Sequence, residues 1–169
     1  ISGDPNSINA ELIYKSIKKL NKDIRKKIYL ISNYRLIKSQ LKKLNYELNL
    51  LPVENPNQEE KSNNVKIINV KLDYDNPFNV KNAKASKYVL ESLNLAHKYA
   101  NSRNDIGIIN CPIDKKLLKS KKTGVTEYLA KKSKIKKDSE VMLIKNEKLA
   151  VCPITTHIDI KDISKELNQ

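Results

Sequence analysis

Residues 65–111 open on VKIINV (65–70), run through ASKYVLESLNLAHKYA (85–100) and close on IGIINC (106–111). The first and last stretches are short apolar runs rich in β-branched residues, the composition of a strand covered on both faces. Between them Val89, Leu93, Ala96, His97 and Ala100 recur at helical spacing and place an apolar stripe on one side of a helix. Strand, helix, strand is the unit of a parallel sheet, because two parallel strands need a crossover and a helix supplies it.

The alternation extends in both directions. Toward the N terminus, Ile1-Ser2 reads as the end of a first strand and Gly3-Asp4-Pro5-Asn6 as a turn. Residues 9–21 form a helix with Ile13, Ile17 and Leu20 on one face, 28–32 (IYLIS) a buried strand, 35–44 a helix with Ile37, Leu41 and Leu44 in register, and 48–53 a strand. Residues 54–64 are polar and aperiodic, a loop, and 73–83 are irregular around Asn76-Pro77. Beyond Cys111, 126–132 is a short helix, 140–145 and 149–155 are two strands joined at Asn146-Glu147 as an antiparallel hairpin, and 159–167 is a final helix. The reading is an α/β fold with a largely parallel sheet.

Bulk properties narrow the class. At 169 residues the chain accommodates one domain, or one and part of another. Its hydrophobic fraction of 39%, spread along the length, excludes a disordered chain. The net charge of +14 raises nucleic-acid binding as a possibility. Only Arg25, Arg35 and Arg103 are arginines, however, and the lysines are dispersed, with a modest concentration at 115–137. An interface for phosphates and guanine edges favours the planar fork of Arg. Abundant Lys, Asn and Ile are what AT-rich coding produces, so no nucleic-acid partner is expected. Cys111 and Cys152 each precede a proline within an apolar run and read as two buried thiols of a reducing compartment. There is no CxxC, no zinc-finger spacing, no visible signal peptide and no apolar run of membrane-spanning length, which makes cytoplasm, with no membrane partner, the expectation. The start at Ile1 without Met and the end at Gln169 inside a predicted helix read as a fragment of a longer protein.

In α/β sheets the working residues sit at the C-terminal ends of strands and in the loops that follow. That rule selects 3–6, 111–115, 123–127 and 155–157. His157 lies just past a strand end, where an imidazole serves as a metal ligand or an acid/base. A catalytic metal needs about three protein ligands, and the one other histidine, His97, reads as a packed or rim side chain of the long helix. Gly124 permits close backbone approach, and Thr126 stands at a helix start, where it binds an anion or caps the helix. The Asp4 carboxylate either contacts substrate or caps the helix that follows. Lys115, after Pro112, is placed to face the cleft. No P-loop, GxGxxG, Ser-His-Asp or Cys-His arrangement is present.

The ordered set of segments resembles the 4-hydroxythreonine-4-phosphate dehydrogenase family of pyridoxal phosphate biosynthesis, over its N-terminal half. SGDPNSINAE (2–11) resembles the opening GDPAGIGPE, NCPIDK (110–115) the (T)(A/G)P(I/V)(N/H)K stretch, TGVTE (123–127) the PGHTE motif and PITTHI (153–158) the ATTH(I/L) motif. The helix at 85–100, with Tyr88, Val89 and Glu91, is similar to the family helix before its central strand, and 159–167 to the helix after ATTH. The resemblance implies a three-layer fold of the isocitrate/isopropylmalate dehydrogenase-like type, incomplete in this chain. Residues 1–105 would be the N-terminal part of a first α/β domain, and 106–169 the start of a second, truncated domain for substrate, metal and dimer interface. It further implies a homodimer, NAD as cofactor, a phosphorylated hydroxy-amino-acid substrate oxidised and then decarboxylated, and a divalent metal (zinc, magnesium or cobalt) held by three histidines, of which His157 matches the first. Thr126 matches the substrate-binding Thr and Lys115 an active-site Lys. The pattern departs at Val125, where the family carries a substrate-binding His, and at Ser7, Asn9 and Ala10, where it carries Gly, Gly and Pro. Another phosphorylated hydroxy acid is therefore the alternative substrate, and the isolated chain is expected to be inactive.

Overall fold

The computed structural model describes residues 1–58, 64–118, 124–136, 139–155 and 158–167. Three parallel strands, β1 (Tyr29–Ser32), β2 (Leu50–Val53) and β3 (Val65–Asn69), stand in the order β1-β3-β2, with Leu30 opposite Ile67 and Ile31 opposite Ile68. Because successive side chains alternate across the sheet, the two faces bury different helices. Leu30, Val65 and Ile67 pack with Ala10, Ile13 and Ile17 of α1 (Asn9–Lys19) and Ile37 and Leu41 of α3 (Tyr34–Lys43). Ile31, Val53 and Ile68 pack with Ala85, Tyr88, Val89, Leu93 and Ala96 of α4 (Asn82–Ser102). The result is a three-layer α/β core, as the family resemblance implies.

Local chemistry sets the helix limits. Asn33 caps α3, its Oδ1 accepting from the Leu36 N–H at 2.9 Å, and past the C-cap Leu44 the chain turns at Asn45, whose φ of 57° is tolerated by a short polar side chain. The helix expected over 9–21 stops at Lys19. Asn21 then caps a separate five-residue helix, α2 (Lys22–Lys26), by accepting from the Ile24 N–H.

Two expectations need correction. The run 106–111 is not a buried strand: Ile109 is 83% exposed. Residues 109–112 instead run parallel beside the N-terminal residues, with the Ile1 N–H donating to Ile109 O, Cys111 N–H to Ile1 O and Asp4 N–H to Pro112 O. The Ser2 N–H donates to Ile31 O, so residues 1–4 lie between β1 and 109–112. Among the described residues the backbone hydrogen bonds of 109–112 go to the N-terminal residues, and Pro112 brings no N–H to a ladder. Cys152 is exposed, not buried, and Cys111 is half-buried; both are free thiols.

Past 112, a 3-10 turn (Lys115–Leu118) buries Leu117 and Leu118 against α4, where Ser86 Oγ donates to Leu117 O at 2.6 Å. Helix α5 (Val125–Lys132) follows on the same side, tied by Tyr128 to Asn94 at 2.7 Å and by Ser133 to His97 at 2.9 Å, which makes His97 a rim side chain. The predicted hairpin forms as β4 (Ile144–Lys145) and β5 (Ala150–Val151), antiparallel and much shorter than the apolar runs that signalled it. A 3-10 turn (Ile160–Asp162) leads into α6 (Ile163–Glu166). No helix of the described residues is long and apolar enough to cross a membrane.

Candidate active site

The C-terminal ends of the central strands carry a buried polar layer. The Tyr88 hydroxyl, fully buried, lies 2.6 Å from Ser2 Oγ and 3.0 Å from Ser32 Oγ and accepts from the Asn33 N–H at 3.1 Å. One phenol from α4 thus ties the N-terminal residues and the end of β1 to the start of α3. Above this layer the 3–6 turn is held from several sides. Asn6 exchanges two hydrogen bonds with the Val80 backbone, at 2.8 and 2.7 Å, and Gln40 Nε2 donates to Pro5 O and Pro77 O. None of these long-range polar ties has a period or a motif, so the sequence reading missed them. A buried Gln on the apolar face of α3 was the one available signal.

Gly3 has φ +70°, a conformation that favours glycine. A Cβ there would stand 2.7 Å from Pro112 O, 2.8 Å from Asn9 Nδ2 and 3.0 Å from Cys111 O. The turn and the 111–112 backbone are therefore in direct contact. The Asp4 carboxylate accepts from the Asn6 N–H at 2.8 Å, so it stabilises its own turn and does not cap α1.

Asp114 caps the 3-10 turn, accepting from the Lys116 N–H at 2.9 Å, and Lys115 leaves it exposed. The Lys115 Cε lies 3.9 Å from where a Cβ on Gly124 would be. Gly124 is the N-cap of α5, and its N–H donates to Glu127 Oε2 at 2.8 Å, half of a capping box. Val125 and Thr126 are the first two helical residues. Val125 packs on the apolar cluster under α4, and Thr126 is exposed rather than the N-cap. Three of the four strand-end segments picked from sequence thus converge: 3–6 on 111–112, and Lys115 on the start of α5. Thr123, Thr156 and His157 lie outside the described residues, and Thr155 is half-buried after the short β5.

The Lys115 side chain and the Glu127 carboxylate both stand over Gly124 at the start of α5, where a helix start concentrates unpaired donors and partial positive charge. Among the described residues no group of three His, Cys, Asp or Glu side chains is placed to hold a metal ion. They do not by themselves make a metal centre. The Cys111 thiol, beside the turn, is pushed up from its usual pKa by burial.

Comparison with known proteins bears on this arrangement. The family model described as pyridoxal phosphate biosynthetic protein PdxA matches residues 23–169. The chain belongs to the PdxA family. It is 31% identical over 171 residues to a 4-hydroxythreonine-4-phosphate dehydrogenase of Sulfurihydrogenibium sp. strain YO3AOP1, covering 99% of this chain and 51% of that protein. It is 27% identical to the protein of the same name from Nostoc sp. strain PCC 7120, covering 98% and 47%. Among solved structures, the Klebsiella pneumoniae 4-hydroxythreonine-4-phosphate dehydrogenase superposes with TM-score 0.84 at 22% identity, over 99% of this chain and 52% of that one. The Burkholderia phymatum enzyme of that name gives 0.81 at 23%, over 95% and 50%. These superpositions establish a shared PdxA-type α/β fold. The chain spans about half the length of the curated relatives it matches.

Proposed function

We propose that this PdxA-family chain forms part of an NAD-dependent, divalent-metal-dependent dehydrogenase that oxidises 4-hydroxythreonine 4-phosphate, with decarboxylation following, in pyridoxal phosphate biosynthesis. The observation that carries the proposal is an end-to-end relationship, 31% identity over 99% of the chain, to a protein of that name. The meeting of Lys115 with the start of α5 supports it, because a phosphorylated substrate needs such a cationic, donor-rich edge. In this reading Thr126 and Lys115 bind and orient the substrate. His157 is one ligand of the metal (zinc, magnesium or cobalt), whose bound form supplies Lewis-acid polarisation of the alcohol oxygen. The whole protein works as a cytoplasmic homodimer, and the 169-residue chain alone is inactive.

The test is NAD reduction by the full-length protein with 4-hydroxythreonine 4-phosphate, with and without chelator, for wild type and His157→Ala. Chelation and the substitution should each lower turnover about 100-fold or more, since a Lewis acid contributes several kcal/mol to such a transition state. Turnover indifferent to both would remove the metal and His157 from the proposal.

Val125 supports a second reading, a related dehydrogenase for another phosphorylated hydroxy acid. Where the family motif has a His, this side chain packs into the apolar cluster and offers no hydrogen bond. Under the first reading Val125→His changes KM and leaves the preferred substrate as it was. A changed preference across a panel of phosphorylated hydroxy acids would favour the second.

A further inference from the structure

We propose that Asn9 is a positioning residue: its side-chain amide locks the 3–6 turn against 109–112 and so fixes the turn relative to the stretch leading to Lys115. The role in catalysis rests on the function proposed above; the lock itself does not.

Asn9 is the first residue of α1, is 2% exposed, and joins its own N-terminal neighbours to a segment 103 residues away. Its Nδ2 donates to Ser2 O at 2.9 Å, to Pro112 O at 2.8 Å and, at a longer 3.3 Å, to Asp4 O. Two N–H groups shared among three carbonyls also settle the amide orientation, because an oxygen in that place would face three oxygens. The last backbone bond between the two segments, Asp4 N–H to Pro112 O, is long at 3.3 Å. The shorter bond from Asn9 to the same Pro112 carbonyl is therefore the firmer tie at the end that opens toward the site.

Gly3 and Asn9 are matched. The space a Cβ on Gly3 would take is the space beside the Asn9 amide, 2.8 Å away, so the turn and the amide fit as a pair. The tie has a penalty: Asn9 Oδ1 is buried with no hydrogen-bond partner. A residue kept for stability alone has no need of an orphan acceptor, since a smaller side chain would avoid it. The family's opening GDPAGIGPE has glycine at this place, which has no side chain to make the tie.

Amide hydrogen exchange tests the lock in the protein, comparing wild type with Asn9→Gly. Protection of the Asp4 N–H should fall about 10-fold or more while Leu30, Ile67 and Ile68 in the central strands keep theirs, the signature of local rather than global opening. Unchanged protection at Asp4, or loss in step with the central strands, would overturn the proposal. If Asn9→Gly does not fold, Asn9→Asp serves. Its ionised carboxylate faces three carbonyls, so Asp4 protection should be low at neutral pH and recover in acid, where the protonated group donates again. No recovery in acid would count against the lock. In the full-length protein with 4-hydroxythreonine 4-phosphate, Asn9→Gly should raise KM about 10-fold and leave kcat within about 3-fold, the pattern of lost substrate placement. Equal KM values alongside a loosened Asp4 would overturn the catalytic half. A wild type that does not turn over while Asp4 behaves as expected would instead overturn the functional reading and leave the lock standing.

Discussion

The body built on β1, β3 and β2 and the segment 139–167 read alike in sequence and end differently in space. Both contain apolar runs with strand signals. In the body those residues disappear between layers: Ile67 of the central strand and Val89 and Leu93 of α4 are fully buried. In 139–167 they stay in solvent, with Ile154 86% exposed and Ile160 87% exposed, and both short strands exposed throughout. The difference is a second layer. A two-stranded ribbon is marginal in water unless something packs on it, and among the described residues nothing packs on β4 and β5. Val141, Leu143, Ile144 and Leu149 form a run of exposed large apolar side chains, the kind of surface that soluble chains cover with a partner.

The largest expected effect puts one leucine of the body beside one isoleucine of the tail. Leu93→Ala removes a fully buried side chain from the α4 face and should cost about 2–5 kcal/mol, the usual range for a core leucine. Ile154→Ala, nearly fully exposed, should change stability by no more than about 0.5 kcal/mol. Urea denaturation of both variants measures the gap. Comparable losses would mean that the tail shares the core of the body.

A glycine pair draws the same line at finer scale. Gly3→Ala puts a Cβ 2.7 Å from the Pro112 carbonyl at φ +70° and should destabilise by about 1–3 kcal/mol, the range for backbone strain in a sparsely populated region. Gly107, on the exposed approach to 109–112, has nothing within 4 Å of its would-be Cβ. Gly107→Ala should be neutral or stabilising by up to about 1 kcal/mol, through the unfolded chain. Thermal unfolding of the two variants decides. A tolerated Gly3→Ala would mean that the turn is free to move off Pro112.

What the sequence made legible follows the same division. Helices α1, α3 and α4 and strands β1 and β3 were readable because their apolar periods and their neighbours agree. The strand-end rule picked 3–6 and 111–115, which the structure brings side by side, although 106–111 forms no strand of its own, and the order of motifs carried the family. Ties between residues distant in the chain were not readable. Tyr88 read as part of an amphipathic helix, yet its hydroxyl gathers Ser2, Ser32 and Asn33. Lys66, on the central strand, argues against burial by type. It is 5% exposed because its ammonium donates to Lys26 O at the end of α2 and lies 4.1 Å from the centre of the Tyr29 ring. The reading over-extended the hairpin because an apolar run shows what a strand would bury, not whether a layer is there to receive it. It mistook Cys152 for a buried thiol for the same reason.

The two cysteines give the smallest and sharpest contrast. Cys111 sits at the edge of the body, half-buried, next to the backbone that meets Gly3, and Cys152 sits exposed just past β5. Burial raises the pKa of the Cys111 thiol, so less of it is thiolate at a given pH, and thiolate is the form that alkylates. At neutral pH iodoacetamide should therefore modify the exposed Cys152 at least about 10-fold faster than Cys111, whose burial limits both access and ionisation. Raising the pH should bring up the Cys111 rate later than that of an ordinary thiol, and modification confined to Cys152 should leave the thermal midpoint where it was. Peptide mapping of the alkylated protein against time and pH gives both rates. Equal rates at neutral pH would show that 109–112 leaves its place beside the N-terminal residues often enough to expose Cys111. That edge would then behave like the tail, and the boundary between the two regions would move inward to residues 1–4.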